Sequence, residues 1–218
     1  MNFNITTKQY TKDDLKTGDI ILCHCQDPTG KKPDPGLDGI IEIATHSPWE
    51  HAALIVKDPW WGKEQLSGLY VFQSGTGPNG YPDVLNGKLC GVTLNHLNDF
   101  LANREEIFVR SLENVDLNTK QKKTFVKAFQ EAHGKPYDST CWYWCWEGID
   151  SFLRCRLCKC CIPKHTDKFW CSALVAFMYV KMGWFDPDLD WSDQTPADLA
   201  QTYETQCPYK LSSIWKLK

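Results

Sequence analysis

The sequence predicts an α+β domain, and three observations carry that expectation. Strand-like and helix-like segments are mixed along the chain without regular βαβ alternation. The 218 residues, 42% of them hydrophobic and 10 of them Trp, suffice for one sizeable core, so a single domain over 1–218 is expected. Nothing repeats at a solenoid period.

The first strand is expected at Asp19–Cys23, in "GDIILCHC", rich in β-branched and apolar residues and entered through a Gly18 turn. "DPTGKKPDPG" is loop, and "LDGIIEIATH" has helical apolar spacing from Leu37 to Ala44. "HAALIV" from His51 and "LYVFQSG" from Leu69 read as strands of an antiparallel hairpin. Pairing Val56 with Gly68 and counting outward puts Gln73 opposite His51.

"KLCGVTL" and "EIFVRSL" are two more expected strands, separated by the amphipathic "NHLNDFLANR". "NTKQKKTFVKAFQEAHG" reads as a helix with Asn118 as N-cap, Phe125 and Phe129 on one face, and Gly134 as its stop. The Cys171 helix then runs to Gly183, a short helix follows Thr195 as N-cap with Pro196 in its first position, and a last strand lies near "YKLSSIWKL".

Composition excludes several functions. The formal charge is -3 and no basic block stands out, so the electrostatic footprint of a nucleic-acid binder is missing. The N-terminus is polar, without the apolar segment of a signal peptide, and no apolar run reaches the roughly 18 residues that span a bilayer. A cytoplasmic protein is expected, with membrane association or packaging into a virion as alternatives. The 11 cysteines are an odd number, which argues for free thiols in a reducing compartment.

Cys171 stands at the head of a helix, where unpaired N–H groups and the positive end of the dipole favour thiolate over thiol. A cysteine nucleophile needs a base and a group that orients the base. Of the six histidines, only His51 opens an apolar strand whose partner offers a polar side chain, Gln73. Glu50, beside it, is expected on the opposite face of the strand and serves as the backup orienter. The Cys171 backbone N–H is the natural oxyanion donor, with Trp170 and Ser172 as neighbouring candidates and Tyr137 as a cleft residue.

"GDIIL", "SPWEHAALIV", "VFQSG", "GKPYD", "FWCSALV" and "TPADLA", in that order from Leu15 to Tyr203, resemble the circularly permuted papain-like amidases, the YiiX-type branch of the NlpC superfamily, which has bacterial and viral members. The resemblance implies a permuted papain-like fold in which Cys171 attacks a carbonyl, His51 shuttles the proton and a residue on the next strand holds the ring. It implies glutamate at that last position, where this chain has Gln73. The chemistry needs no cofactor, and a peptide, amide or lipid ester is the expected substrate. The runner-up is a lipid acyltransferase or phospholipase of the lecithin:retinol acyltransferase type. A catalytically inactive scaffold or adaptor is the non-enzymatic alternative.

A segment dense in cysteine and aromatic residues, about 139–166, is expected as a helical insertion. Cys155, Cys158, Cys160 and Cys161 in "CRLCKCC" have spacing that could share one zinc ion. The alternatives are an ordinary helical hairpin and peripheral membrane contact through 141–161. Oligomeric state is not legible.

Overall fold

The computed structural model describes residues 5–6, 10–24, 47–61, 66–75, 81–102, 104, 106–138, 166–201 and 209–217. The expected 37–44 helix and almost all of the cysteine-rich insertion lie outside these residues, as do its four candidate zinc ligands.

The mixed architecture is the expected one. Seven strands, β1 (Ile5–Thr6), β2 (Ile20–His24), β3 (Trp49–Lys57), β4 (Leu69–Gly75), β5 (Gly91–His96), β6 (Glu106–Arg110) and β7 (Ile214–Lys216), form one sheet in the order β1-β7-β6-β2-β3-β4-β5. Six are successively antiparallel, and β1, which sequence reasoning did not anticipate, joins β7 in parallel at the edge. The helices are α1 (Leu97–Ala102), α2 (Thr119–Ala132), α3 (Cys171–Lys181) and α4 (Pro196–Ala200). Among the described residues no helix is long and apolar enough to cross a membrane.

The continuous apolar runs of β2 and β3 follow from burial on both faces. Leu22, Ala52, Leu54, Phe72 and Leu94 pack under α2 and α3, whereas Ile21, Ala53, Ile55 and Val71 pack under α1 and Tyr10. These central strand residues are therefore covered on whichever face they point to. Trp60 and Trp61 pack on α2, their rings 5.5 and 5.6 Å from Phe125 and that of Trp61 4.7 Å from Phe129.

Capping fixes the helix ends where the sequence placed them. Asn118 accepts from the Gln121 N–H at 3.0 Å while Gln121 accepts from the Asn118 N–H at 3.1 Å. Thr195 and Asp198 repeat the arrangement at α4. Asp19, fully buried ahead of β2, accepts from the Lys16 N–H at 3.0 Å and the Ser111 hydroxyl at 2.8 Å, a turn-holding role. The buried Arg110 donates to the carbonyls of Ser212, Leu199 and Gln201, joining β6 to the end of α4.

Two expected details change. The hairpin register differs by two residues: Val56 pairs with Tyr70, because the loop closes at Asp58, whose N–H donates to the Gly68 carbonyl. Gln73 therefore lies diagonal to His51 instead of opposite it. A shift of two keeps both side chains on the same face. The strand expected from Lys88 starts at Gly91, where the end of α2 docks: the Val92 N–H donates to the Lys135 carbonyl, and the Gly134 N–H to that of Val92, both at 2.8 Å.

Gly91 has φ +88°, and a Cβ there would lie 2.3 Å from the Lys135 carbonyl oxygen. Gly91→Ala should therefore lower unfolding stability by about 1–3 kcal/mol, measured as a fall in the urea midpoint at unchanged m-value.

Candidate active site

The ladder between β3 and β4 ends at Leu54 and Phe72, so the strands part toward His51 and Gln73. The segment leading into α3 enters at this opening. Its Phe169 carbonyl accepts from the Ser74 hydroxyl at 2.7 Å and from the Asp138 N–H at 2.9 Å, while the Phe169 N–H donates to the Pro136 carbonyl at 3.2 Å. Tyr137, one of the cleft candidates, bridges Phe169 at the same place. With Phe169 clamped, Cys171 begins α3 with its sulfur facing the N–H of Ala52, the residue next to His51.

The first helical bond of α3 runs from the Leu174 N–H to the Trp170 carbonyl, which leaves the N–H groups of Cys171 and Ser172 ahead of the intrahelical ladder. These are potential oxyanion donors. Ser172 is buried, its hydroxyl donates to the Gln194 carbonyl at 2.7 Å, and its N–H also faces the Cys171 sulfur. The Trp170 indole N–H is buried with no acceptor among the described residues.

His51 Nε2 lies 2.9 Å from Gln73 Oε1, so the diagonal pair is bonded. The imidazole is half-buried with its ring 6.1 Å from that of Phe100, on the α1 side of the sheet. Gln73, Thr93 and Asn95, all buried, continue the polar group along β4 and β5.

Glu50 departs from the expected strand alternation. A β-bulge falls here, with Cys23 paired to His51 and His24 to Trp49, leaving Glu50 as the extra residue. Trp49 and Ala52 both join the core under α2 and α3. Glu50 is thereby turned to the same side as His51. Its carboxylate faces Arg104 at 3.9 Å, while Arg104 lies 4.5 Å above the Phe100 ring. The bonded orienter is Gln73, and the nearest charged pair is Glu50 with Arg104. Sequence reasoning missed Arg104, which lies beyond the end of α1 and carried no helical spacing signal.

The electrostatics reverse the expectation for Cys171. Burial pushes its thiol up from the ordinary value, and the N–H groups of Ala52 and Ser172 only offset part of this. The helix terminus acts on a side chain only 4% exposed, where desolvation of the thiolate outweighs it. His51 is pushed down, to about 3, by burial and then by the Arg104 cation, against the opposing Gln73 bond. Thiol and imidazole are both neutral at rest.

Among the described residues no group of three or more His, Cys, Asp or Glu is arranged to hold a metal ion. Compared with protein-family models and with characterised proteins, the sequence matches none of them.

Two pH measurements check this neutral pair. A His51 whose folded pKa lies below its unfolded value, about 6.5, supplies stability that is complete above pH 6.5 and is lost as pH falls toward about 3. The stability of wild type relative to His51→Gln should be constant above that window and should fall as pH drops through it. Alkylation of Cys171 should climb with pH through and above about 8.5, the ordinary thiol value, whereas a plateau at pH 5–7 would reveal a preformed ion pair.

Proposed function

We propose that the chain is a cysteine hydrolase of the permuted papain-like type, acting on an amide or ester. The observation that carries this reading is the 2.9 Å bond from His51 Nε2 to Gln73 Oε1 at the strand opening that also receives the head of the Cys171 helix. The three candidate groups lie on α3, β3 and β4, whose ends meet at this opening, and the base is already oriented by its neighbour, which supports a nucleophile–base–orienter reading.

Because Gln73 occupies Nε2, Nδ1 is the nitrogen assigned to the thiol. His51 Nδ1 accepts the Cys171 proton as the sulfur attacks the carbonyl carbon, and the oxyanion is met by the Cys171 N–H. Collapse of the tetrahedral intermediate breaks the bond to the leaving amine or alcohol, which takes the proton from His51. Water then attacks the thioester with His51 again as base, releasing the acid and restoring the thiol. A neutral resting pair makes proton transfer and attack one coupled event, rather than attack by a stored thiolate.

Hydrolysis of activated esters, peptide amides and phospholipids tests the reading, with product analysis separating hydrolysis from acyl transfer. Cys171→Ala should fall to the buffer rate, His51→Ala should lose about 100-fold or more, and Gln73→Ala about 10-fold or more. Turnover that survives Cys171→Ala would overturn the assignment. No turnover on any class, with no adduct at Cys171, would favour the inactive scaffold.

A further inference from the structure

Gln73 is useful as an orienter only if its oxygen, not its nitrogen, faces the imidazole. An amide can present either end. What decides between them lies one residue further along the polar chain, at Asn95.

Asn95 is fully buried on β5. One end of its amide faces two backbone carbonyls, Tyr81 O at 2.8 Å and Pro82 O at 3.1 Å. Carbonyl oxygens only accept, so that end must be the NH2 group. The other end is then Oδ1, which accepts from the Thr93 hydroxyl and from the Gln73 side chain, each at 2.9 Å. An acceptor facing Gln73 demands a donor in return, which turns the Gln73 NH2 toward Asn95 and its Oε1 toward His51. Oε1 can only accept, so His51 Nε2 must carry the ring proton and Nδ1 must hold the lone pair.

We infer that Asn95 is a positioning residue that fixes the tautomer of His51, by locking the polarity of the Gln73 amide from two backbone carbonyls. This deepens the hydrolase reading and rests on it for its catalytic meaning, though the tautomer itself is independent of any substrate. The direction of every bond follows from acceptors that cannot be reversed, so it does not depend on which way either amide is drawn. It also gives Gln73 a reason. A glutamate, the residue the family resemblance implies, would accept from His51 but, when ionised, would set a second oxygen against Asn95 Oδ1. Gln73 and Asn95 are a matched pair, one end accepting and the other donating.

The register explains how the pair meets. Gln73 stands across from Thr93, and Val71 across from Asn95, so Asn95 reaches Gln73 on the diagonal, as Gln73 reaches His51. Thr93 and Asn95 share one face of β5, with Val92 and Leu94 turned into the core beneath α2 and α3. Two diagonal steps carry the polarity from the Tyr81–Pro82 backbone to the imidazole.

The test is the nitrogen-15 spectrum of the His51 ring, which separates a protonated from a bare nitrogen, recorded at neutral pH on the full chain. Wild type should show protonated Nε2 and bare Nδ1; the opposite tautomer, or a mixture, would overturn the inference without any variant being needed. Thr93→Val removes a second donor to Asn95 Oδ1 but leaves the Asn95 NH2 on its two carbonyls and its oxygen on Gln73, and should keep the wild-type tautomer. Asn95→Leu removes the acceptor that faces Gln73 and should give mixed tautomers, with Cys171 alkylation slowed about 10-fold relative to Thr93→Val. A folded Asn95→Leu with the wild-type spectrum, or a Thr93→Val that scrambles it, would contradict the role. Absence of hydrolytic turnover combined with the expected spectra would defeat the enzymatic reading and leave the tautomer assignment standing.

Discussion

The parting of β3 and β4 beyond Leu54 and Phe72 is the constraint on which the rest depends. Continued pairing would bring Ala52 against Ser74 and close the sheet. Instead, the Ser74 hydroxyl donates to the Phe169 carbonyl and the Ala52 N–H faces the Cys171 sulfur, so the incoming chain occupies the opening. A buried N–H needs an acceptor, and a sulfur atom serves here where a strand carbonyl would otherwise stand. The bulge at Glu50 completes the distortion on the other side of β3. One departure from regular pairing thus admits the cysteine, and a second turns Glu50 toward Arg104 beside the imidazole.

The charge balance of the opening follows from the same burial. Burial and the Arg104 cation work against imidazolium, the uncharged Gln73 offsets them only in part, and burial of Cys171 works against thiolate. Each ion alone is disfavoured in such surroundings, whereas transfer of a proton during attack needs neither to persist. Gln73 is consistent with that balance. A carboxylate in its place would stabilise a charge that the rest of the opening resists.

Much of the fold was legible because its signals are local. Asn118 with Gln121, Thr195 with Asp198, and Gly134 after α2 act over three or four residues, and the strands β3 and β4 announce themselves by composition. The pairing of His51 with Gln73 survived a register error because strand faces repeat every two residues, so an error of two leaves neighbours on one side. The error came from the loop, whose closure at Asp58 and Gly68 has no strong sequence mark. The bulge was likewise invisible, and with it the face of Glu50. The thiol shift was misread because a helix terminus can be seen in sequence while the depth of burial against it cannot. Asn95 left a faint trace, a polar residue two places after Thr93 in an otherwise apolar strand, but its meaning lies in two carbonyls contributed by the chain at Tyr81 and Pro82.

The central claim is that Cys171 carries the acyl group. It is tested most directly by mixing the protein with an activated ester, quenching in acid within the first turnover, and locating the acyl group by intact mass and peptide mapping. The account predicts one acyl thioester per chain, on Cys171, formed in wild type and lacking in His51→Ala over the same interval. Acyl groups on lysines or on other cysteines, with Cys171 unmodified, would contradict it.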